Sequence, residues 1–549
     1  MVKHLTVRLA WHDNKWDGTV CQDPEKNVYC VGTHSVLSDR LAKNRDLDIE
    51  KKNKGKRIDK ISDDYLPPCY WGTNAFSKQS LTVLHNHPWP QLEKTHVIKD
   101  KLPGYSVFTW PFRLSFVHDK KKKKLHGSYP PDLADRIDKF QKSFTKDESI
   151  VFLYLNYDNP ISADDSKYAL VGCATLNEII PGKDFSFTQD KLNQIRKTKR
   201  SKNFPTLNWA ITVSYDFDSG VLLPYHEYLE HIEKNPDDSE LLDEMKVLID
   251  DEDLRPNFTY VAMDMNDDAC IYTLTLLRNS FKKIKEHGIM KQDWVKTQIE
   301  NIDKLLERTW KLRGIYPSLG NVLDVVADLD KDRYGIGNEI ISIIKKNNPG
   351  KDTLDIITKL LTKQNIPKYL DNDKFRPTIN DMFVNMSGYN LNLLQKLSLF
   401  SLSQTQIKNI ATNNSINFKK QINIDEIIKN PYLLCEKYRG PEEIELDELE
   451  IPDKKIGTFT IDIGMFPDPN YLGRNKAVQN LDVSHPYRLR AVISDHLKSL
   501  ENDGDCYAVL DDIFKMLKDY PLFYRPEHEF LIDKNKLASV KYINHFKER

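Results

Sequence analysis

The chain has 549 residues, too many for one hydrophobic core, and domains of common size would number roughly three or four. Hydrophobic residues make up 40% and aromatics 10%, which excludes a disordered or fibrous chain. With 80 basic against 81 acidic side chains the net charge is −1, so bulk charge selects no partner and any attraction to nucleic acid has to come from local basic patches. No stretch approaches the length of an apolar membrane span, and MVKHLTVRLAWHDNKW at the N-terminus lacks the apolar core and cleavage site of a secretory signal. The expectation is a cytoplasmic protein with no membrane partner. Seven cysteines, odd in number and sparse, argue for reduced thiols, and Cys173, Cys270, Cys435 and Cys506 are expected as small buried hydrophobes.

Residues 1–100 read as a Cys/His/Trp-rich N-terminal domain. In CQDPEKNVYC, Cys21 and Cys30 flank a polar turn and can present two thiolates to one ion. Cys69 in LPPCYWGTNAF supplies a third, and His85 an imidazole, with His34 and His87 as alternatives. A Cys3His set suits zinc; an iron–sulfur cluster is less favoured, because it wants a fourth cysteine and Cys173 is the only nearby one. Without a Cys-x-x-Cys knuckle, buried structural thiols remain the competing reading. His12, Asp13 and Asn14 suit either acid–base chemistry or a capped turn, and the turn is expected. Trp11, Trp16, Tyr29, Tyr70 and Trp71 are expected in a core rather than as a base-stacking platform, and KKNKGKRIDK, Lys51 to Lys60, as a solvated loop.

Residues 101–235 read as a β-rich domain: SIVFLYLNYDNP and KYALVGCATL form a hairpin across ISADDS, and NWAITVSYDF is a further strand. The basic clusters Lys120–Lys124 and Arg196–Arg200 are expected as exposed loops. Residues 236–385 form a helical domain and 386–549 a helical-hairpin region; HEYLEHI, DWVKTQIENIDKLLERTWKL, GNVLDVVADL, NEIISIIKK, TLDIITKLLTK and NLLQKLSLF carry apolar residues at helical spacing. The fold class is therefore α+β, an N-terminal mixed α/β and β-rich part followed by an all-α region. No phosphate-cradling loop is present, since Gly55-Lys56, Gly182-Lys183 and Gly350-Lys351 are followed by Arg57, Asp184 and Asp352. The chain is thus expected to hold no ATP site. The acids Asp264, Asp267 and Asp268, and Asp511 and Asp512, are expected on solvated faces rather than around Mg.

One succession of motifs occupies roughly residues 390–520: LFSLSQTQIKNI, then IDEIIKNPYLLCEKYRG, then IGTFTIDIGMFPD, then YRLRAVISDHLKSLENDGDCYAVLDDIFKML. It resembles the region before the motor in RecD-like superfamily 1 DNA helicases, the family of the exonuclease V alpha subunit. Asn430, Pro431, Tyr432, Leu434, Arg488, Arg490, Ala491, Ile493, Leu497 and Gly504 stand at the corresponding positions, while the acidic EEIELDELEIPDKK replaces the family's Gly-rich hairpin.

The resemblance implies helix-hairpin-helix-like units that approach DNA phosphates, with Arg488, Arg490 and Lys498 as phosphate contacts. The partners it implies are DNA and a helicase motor, carried by another chain or by a missing C-terminal motor domain. The function expected is a DNA-binding accessory part or subunit of such a DNA repair or defence system, with no ATPase motor of its own. Two alternatives stand beside it. One is a metal-dependent nuclease or hydrolase using the Cys/His region with His12 or Asp13. The other is a protein-interaction scaffold without enzymatic activity.

Overall fold

The computed structural model describes residues 2–30, 47–61, 70–86, 97–109, 117–119, 124–126, 140–156, 159–162, 168–180, 211–249, 254–258, 262–329, 335–413, 418, 422–439, 455–472, 483–502 and 507–519. The fold is α+β. Two compact units divide the chain, residues 2–309 and 310–549, and the boundary falls inside the helix Gln292–Arg313.

The first unit is built on strands β1 (His4–Leu9), β2 (Leu81–Asn86), β3 (Val97–Leu102), β4 (Ser106–Thr109), β5 (Val117–Asp119), β6 (Lys124–His126), β7 (Ile150–Leu155), β8 (Tyr168–Ile180), β9 (Ile211–Leu222), β10 (Leu248–Ile249) and β11 (Ala262–Met265). The main sheet runs β11-β1-β7-β8-β9-β4, with β10 on β8, while β2-β3 and β5-β6 form separate hairpins. Only β1 and β7 pair in parallel, with Leu5 opposite Val151; the other pairings of this sheet are antiparallel. β7, IVFLYL, has no polar face, and all six of its residues are buried, as a central strand covered on both sides requires. The hairpin expected across ISADDS is the β7–β8 pair, and NWAITVSYDF enters β9.

One sheet thus takes strands from each of the segments 1–100, 101–235 and 236–385. Those segments are not separate domains: main-chain hydrogen bonds from β1 to both β7 and β11 tie them together. His4 adds a side-chain tie. It is fully buried, its Nδ1 accepts the Ile150 N–H, and Nε2 lies 3.0 Å from Asp267 Oδ1. Asp267 and Asp268 are therefore buried at the start of the helix Asp267–His287, behind the Asn266 N-cap, and not on a solvated face. Lys3 engages Asp264.

The second unit is helical. Expected segments appear as Leu319–Val326, Ile336–Asn347, Thr353–Lys363 and Leu391–Leu397. The first two of these approach closely because Gly337 meets Gly320: a Cβ on Gly337 would lie 2.0 Å from the Gly320 carbonyl oxygen. The buried Asp324 carboxylate accepts the Gly335 and Gly337 N–H groups at 2.8 and 2.6 Å, so those amides face an internal anion. In the region expected to form hairpins, Asn390, Ser403 and Asn423 cap the helices Leu391–Leu397, Gln404–Ala411 and Ile424–Lys429. One amide at each of these helix starts is held by the protein itself.

Candidate functional site

In the first unit the loop after β1 builds a compact cluster. Lys15, Trp16 and Gly18 all have positive φ, at 51°, 58° and 76°, and the two non-glycine residues cost about 1–2 kcal/mol each in that conformation. Gly18 is required twice over, since a Cβ there would lie 2.8 Å from Ser77 Cα. Asn14 secures the turn: its main-chain oxygen accepts from Asp17 N–H, and its side-chain amide donates to Thr19 Oγ1 and to the Val20 carbonyl. The turn folds Trp16 inward. Trp16 packs edge-on to Trp11 and against Phe76, and Trp11 stacks on His226 at 4.4 Å. Both tryptophans are buried, as expected of a core; the side chains of Tyr70 and Trp71 lie outside the described residues.

Inside this frame the ligand atoms of His12, Asp13 and Cys21 all lie within 4.8 Å of one another. The Asp13 carboxylate accepts the main-chain N–H groups of Gln22 and Asp23 at 3.1 and 3.0 Å, which is the capped turn expected of it. Cys21 is buried, is not in a disulfide, and its Sγ accepts from Asn27 Nδ2 at 3.3 Å. His12 is 1% exposed and its Nε2 makes no hydrogen bond. Burial pushes its pKa down, opposed by the carboxylates of Asp13 and Asp17 and by the Thr19 main chain. His226 Nδ1 and Trp16 Nε1 are also buried without a partner. Burial lowers the His226 pKa to about 4, so this ring is neutral at pH 7.

The cluster could hold a metal ion. Imidazole nitrogen, carboxylate oxygen and thiolate sulfur are all ordinary ligands of a divalent cation. One thiolate, one carboxylate and a neutral imidazole around a divalent ion also sum to zero charge, which suits a buried site. One condition follows from the His12 ring. Asn14 N–H donates to Nδ1 at 3.2 Å, so the neutral ring carries its proton on Nε2, and an ion at Nε2 would shift that proton to Nδ1 and break this bond. The loss is about 1 kcal/mol, small beside the roughly 10 kcal/mol of structural zinc binding.

Of the four metal ligands expected from sequence, the structure brings Cys21 to this cluster. Cys69 lies outside the described residues, as do the side chains of Cys30 and His85; Cys30 ends the turn Val28–Cys30, and His85 lies on β2 opposite Ile98. Cys173, Cys270 and Cys435 are buried thiols, as expected, and burial pushes the Cys173 thiol up to about 12.

In the second unit the expected phosphate contacts have other duties. Arg488 is 1% exposed. Its Nε and Nη2 donate to the two oxygens of Asp462 at 2.8 and 2.7 Å, Nη1 donates to the Val483 carbonyl, and Tyr432 donates to Asp462 Oδ1 at 2.6 Å. Arg490 is buried and donates to Glu436 Oε1 at 2.9 Å. A bidentate guanidinium sealed against its carboxylate is not presented to a phosphate, so the role read from sequence is corrected: these arginines join the helices Leu433–Lys437, Thr458–Met465 and Pro486–Asn502. Lys498, on the last of these helices, is partly exposed. Asp462 was not singled out from sequence, although a lone carboxylate inside the apolar run TFTIDIGM signals a buried partner.

The chain is 22% identical over 561 aligned positions to an uncharacterized protein of Methanocaldococcus jannaschii, an alignment covering 94% of this chain and 39% of that protein. The chain thus spans well under half the length of this curated relative. No family model matches it, and no solved structure is significantly similar. Among the described residues, no helix is long and apolar enough to cross a membrane.

Proposed function

We propose that the chain is a DNA-binding accessory part of a RecD-like helicase system, acting with a motor in another chain or in a further part of a longer polypeptide. The observation that carries the reading is the meeting of two motif positions of the resemblance, Tyr432 of the Asn-Pro-Tyr triplet and Arg488 of YRLRA, on Asp462 of the intervening IGTFTIDIGM segment, in one buried network. The bonded pairs lie 30 and 26 positions apart, so the matched segments belong to one folded unit, as the resemblance requires. The test is fluorescence anisotropy of the full chain with a labelled duplex bearing a single-stranded overhang. Binding that weakens as salt rises is expected, with a dissociation constant of about 10⁻⁶ M or tighter at low salt. No binding at low salt overturns the reading and favours a protein-interaction scaffold.

In the same proposal, the His12, Asp13 and Cys21 cluster holds a structural zinc. The three side chains leave the fourth position of a tetrahedral zinc to another ligand, but His12 and Cys21 are 1% and 3% exposed, so burial, not ligand count, favours a structural site over a nuclease centre that substrate must reach. Zinc there would join the two ends of the loop, His12 and Asp13 to Cys21, by coordination and would supply no reaction step. Elemental analysis should find about one zinc per chain, lost in Cys21→Ser; a metal-free wild-type protein overturns the assignment. DNA cleavage abolished by His12→Gln would instead favour the hydrolase.

A further inference from the structure

We propose that the segment Lys51–Lys60 is the surface through which the first unit contacts DNA phosphates, and that the Cys21 loop fixes it in place. The inference rests on the DNA-binding reading and names a site for it. KKNKGKRIDK carries six cations and one acid in ten residues of a chain whose net charge is −1. It is not the free solvated loop expected from its composition. Val20 N–H donates to the Lys56 carbonyl at 2.9 Å, Gly55 N–H to the Val20 carbonyl at 3.0 Å, and Ile58 N–H to the Gly18 carbonyl at 3.2 Å, with Thr19 and Arg57 bridged as in a β-ladder. Ile58, the run's one apolar residue, is fully buried beneath it. Gly55 has φ +65° and lies so close to Gln22 that a Cβ would sit 2.7 Å from Gln22 Oε1. Gln22 is the neighbour of Cys21 and gives its N–H to Asp13, so the basic segment and the metal-binding loop share a backbone framework.

The cations divide into two groups. Lys51 pairs with Glu25, and Arg57 and Lys60 pair with Asp59. Lys52, Lys54 and Lys56 are exposed and make no ion pair among the described residues; Lys56 donates only to Asn53 Oδ1. Three ammonium groups at alternate positions, on a backbone already ordered, form a phosphate-contacting surface that gives up no salt bridge among the described residues when DNA arrives; Lys54 acts on Asp23 through space only. Such contacts position DNA without reading its sequence.

The test compares the full chain with the triple variant Lys52→Glu, Lys54→Glu, Lys56→Glu and with a control of equal charge change in the second unit. The control is Lys345→Glu, Lys346→Glu, Lys351→Glu, at exposed lysines that are also unpaired among the described residues. Anisotropy with the same labelled duplex, measured across a salt series, is the readout, with circular dichroism to confirm that both variants fold. The expected result is an affinity loss of at least about tenfold in the first variant, with the slope of log K against log salt reduced by about 2.7, or about 0.9 for each lost contact. The control should stay near the wild type. If the first variant binds like wild type, or if both variants lose affinity equally, this inference is overturned while the DNA-binding reading stands. If the wild-type chain binds no DNA, that reading fails, and this inference with it.

Discussion

Replacing Arg488 by alanine gives the clearest separation between a cation kept for DNA and one kept for the fold. The substitution removes three donors, two to Asp462 and one to the Val483 carbonyl, and leaves the Asp462 carboxylate with the Tyr432 hydroxyl as its side-chain partner. Asp462 is 3% exposed, so water does not readily replace the lost guanidinium. Breaking a buried ion pair from one side costs about 3–5 kcal/mol, because the remaining charge is left uncompensated. In a unit of this size each kcal/mol lowers the unfolding midpoint by about 2–4 °C, so a drop on the order of 10 °C in the transition assigned to residues 310–549 is expected. Tyr432→Phe removes one hydrogen bond to a charge and should cost about 1.5–3 kcal/mol. Arg488→Met combined with Asp462→Leu removes both charges and should recover much of the loss, since an apolar pair of similar volume is commonly neutral or stabilising. The assay is differential scanning calorimetry on all three variants. A midpoint unchanged in Arg488→Ala, together with weakened DNA binding, would refute the structural role and restore the phosphate contact.

Two further outcomes follow from the second unit. Lys396 is 8% exposed, forms no ion pair among the described residues, and its pKa is lowered by burial. Between that lowered value and 10.5 the unfolded chain binds more protons than the folded one, so stability contributed at this site rises with pH across that window. Lys396→Met should stabilise the second unit at pH 7 by on the order of 1 kcal/mol, raise its unfolding midpoint by about 2–4 °C and abolish the alkaline rise; a lower midpoint would mean that the ammonium group has a stabilising partner. Gly337→Ala should destabilise by about 1–3 kcal/mol or more, because the clash is with the rigid Gly320 carbonyl, as thermal unfolding would record; an unchanged midpoint would show that the two helices separate freely.

Much of the secondary structure was legible because it depends on local pattern. TLDIITKLLTK gives its buried Leu354, Ile357, Leu360 and Leu361 at helical spacing, and Asp352 before it is a ready N-cap, so the helix Thr353–Lys363 has the expected extent. The β-rich run of β7 likewise announced a strand. The domain boundaries were not legible. β1 pairs with strands that lie about 145 and 260 residues further on, and nothing in HLTVRL names its partners. Composition shifts near residues 100 and 235 mark where helix replaces strand, and a sheet is free to cross such points.

The candidate site shows a second reason for the difference. Cysteine spacing drew attention to Cys21, Cys30 and Cys69; among the described residues the ligand atoms near Cys21 are those of His12 and Asp13, brought to it by a turn whose left-handed residues include Lys15 and Trp16. A chain rarely places bulky residues in that conformation unless other contacts hold them there, and the edge-on packing of Trp16 on His226, more than 200 residues away, is one such contact. The same logic reverses the reading of charge. Arg488 looked available because sequence gives a side chain's type and not its burial, while Lys52, Lys54 and Lys56 looked ordinary because they lie in a polar run. A buried arginine loses its solvent on folding and must find a carboxylate, so it is committed before any ligand arrives. An exposed lysine on a backbone pinned at Val20 and Ile58 keeps its charge uncommitted and its position fixed. For a nearly neutral chain, a cation therefore serves a polyanion best where the fold orders the main chain beneath it and leaves the ammonium group unpaired.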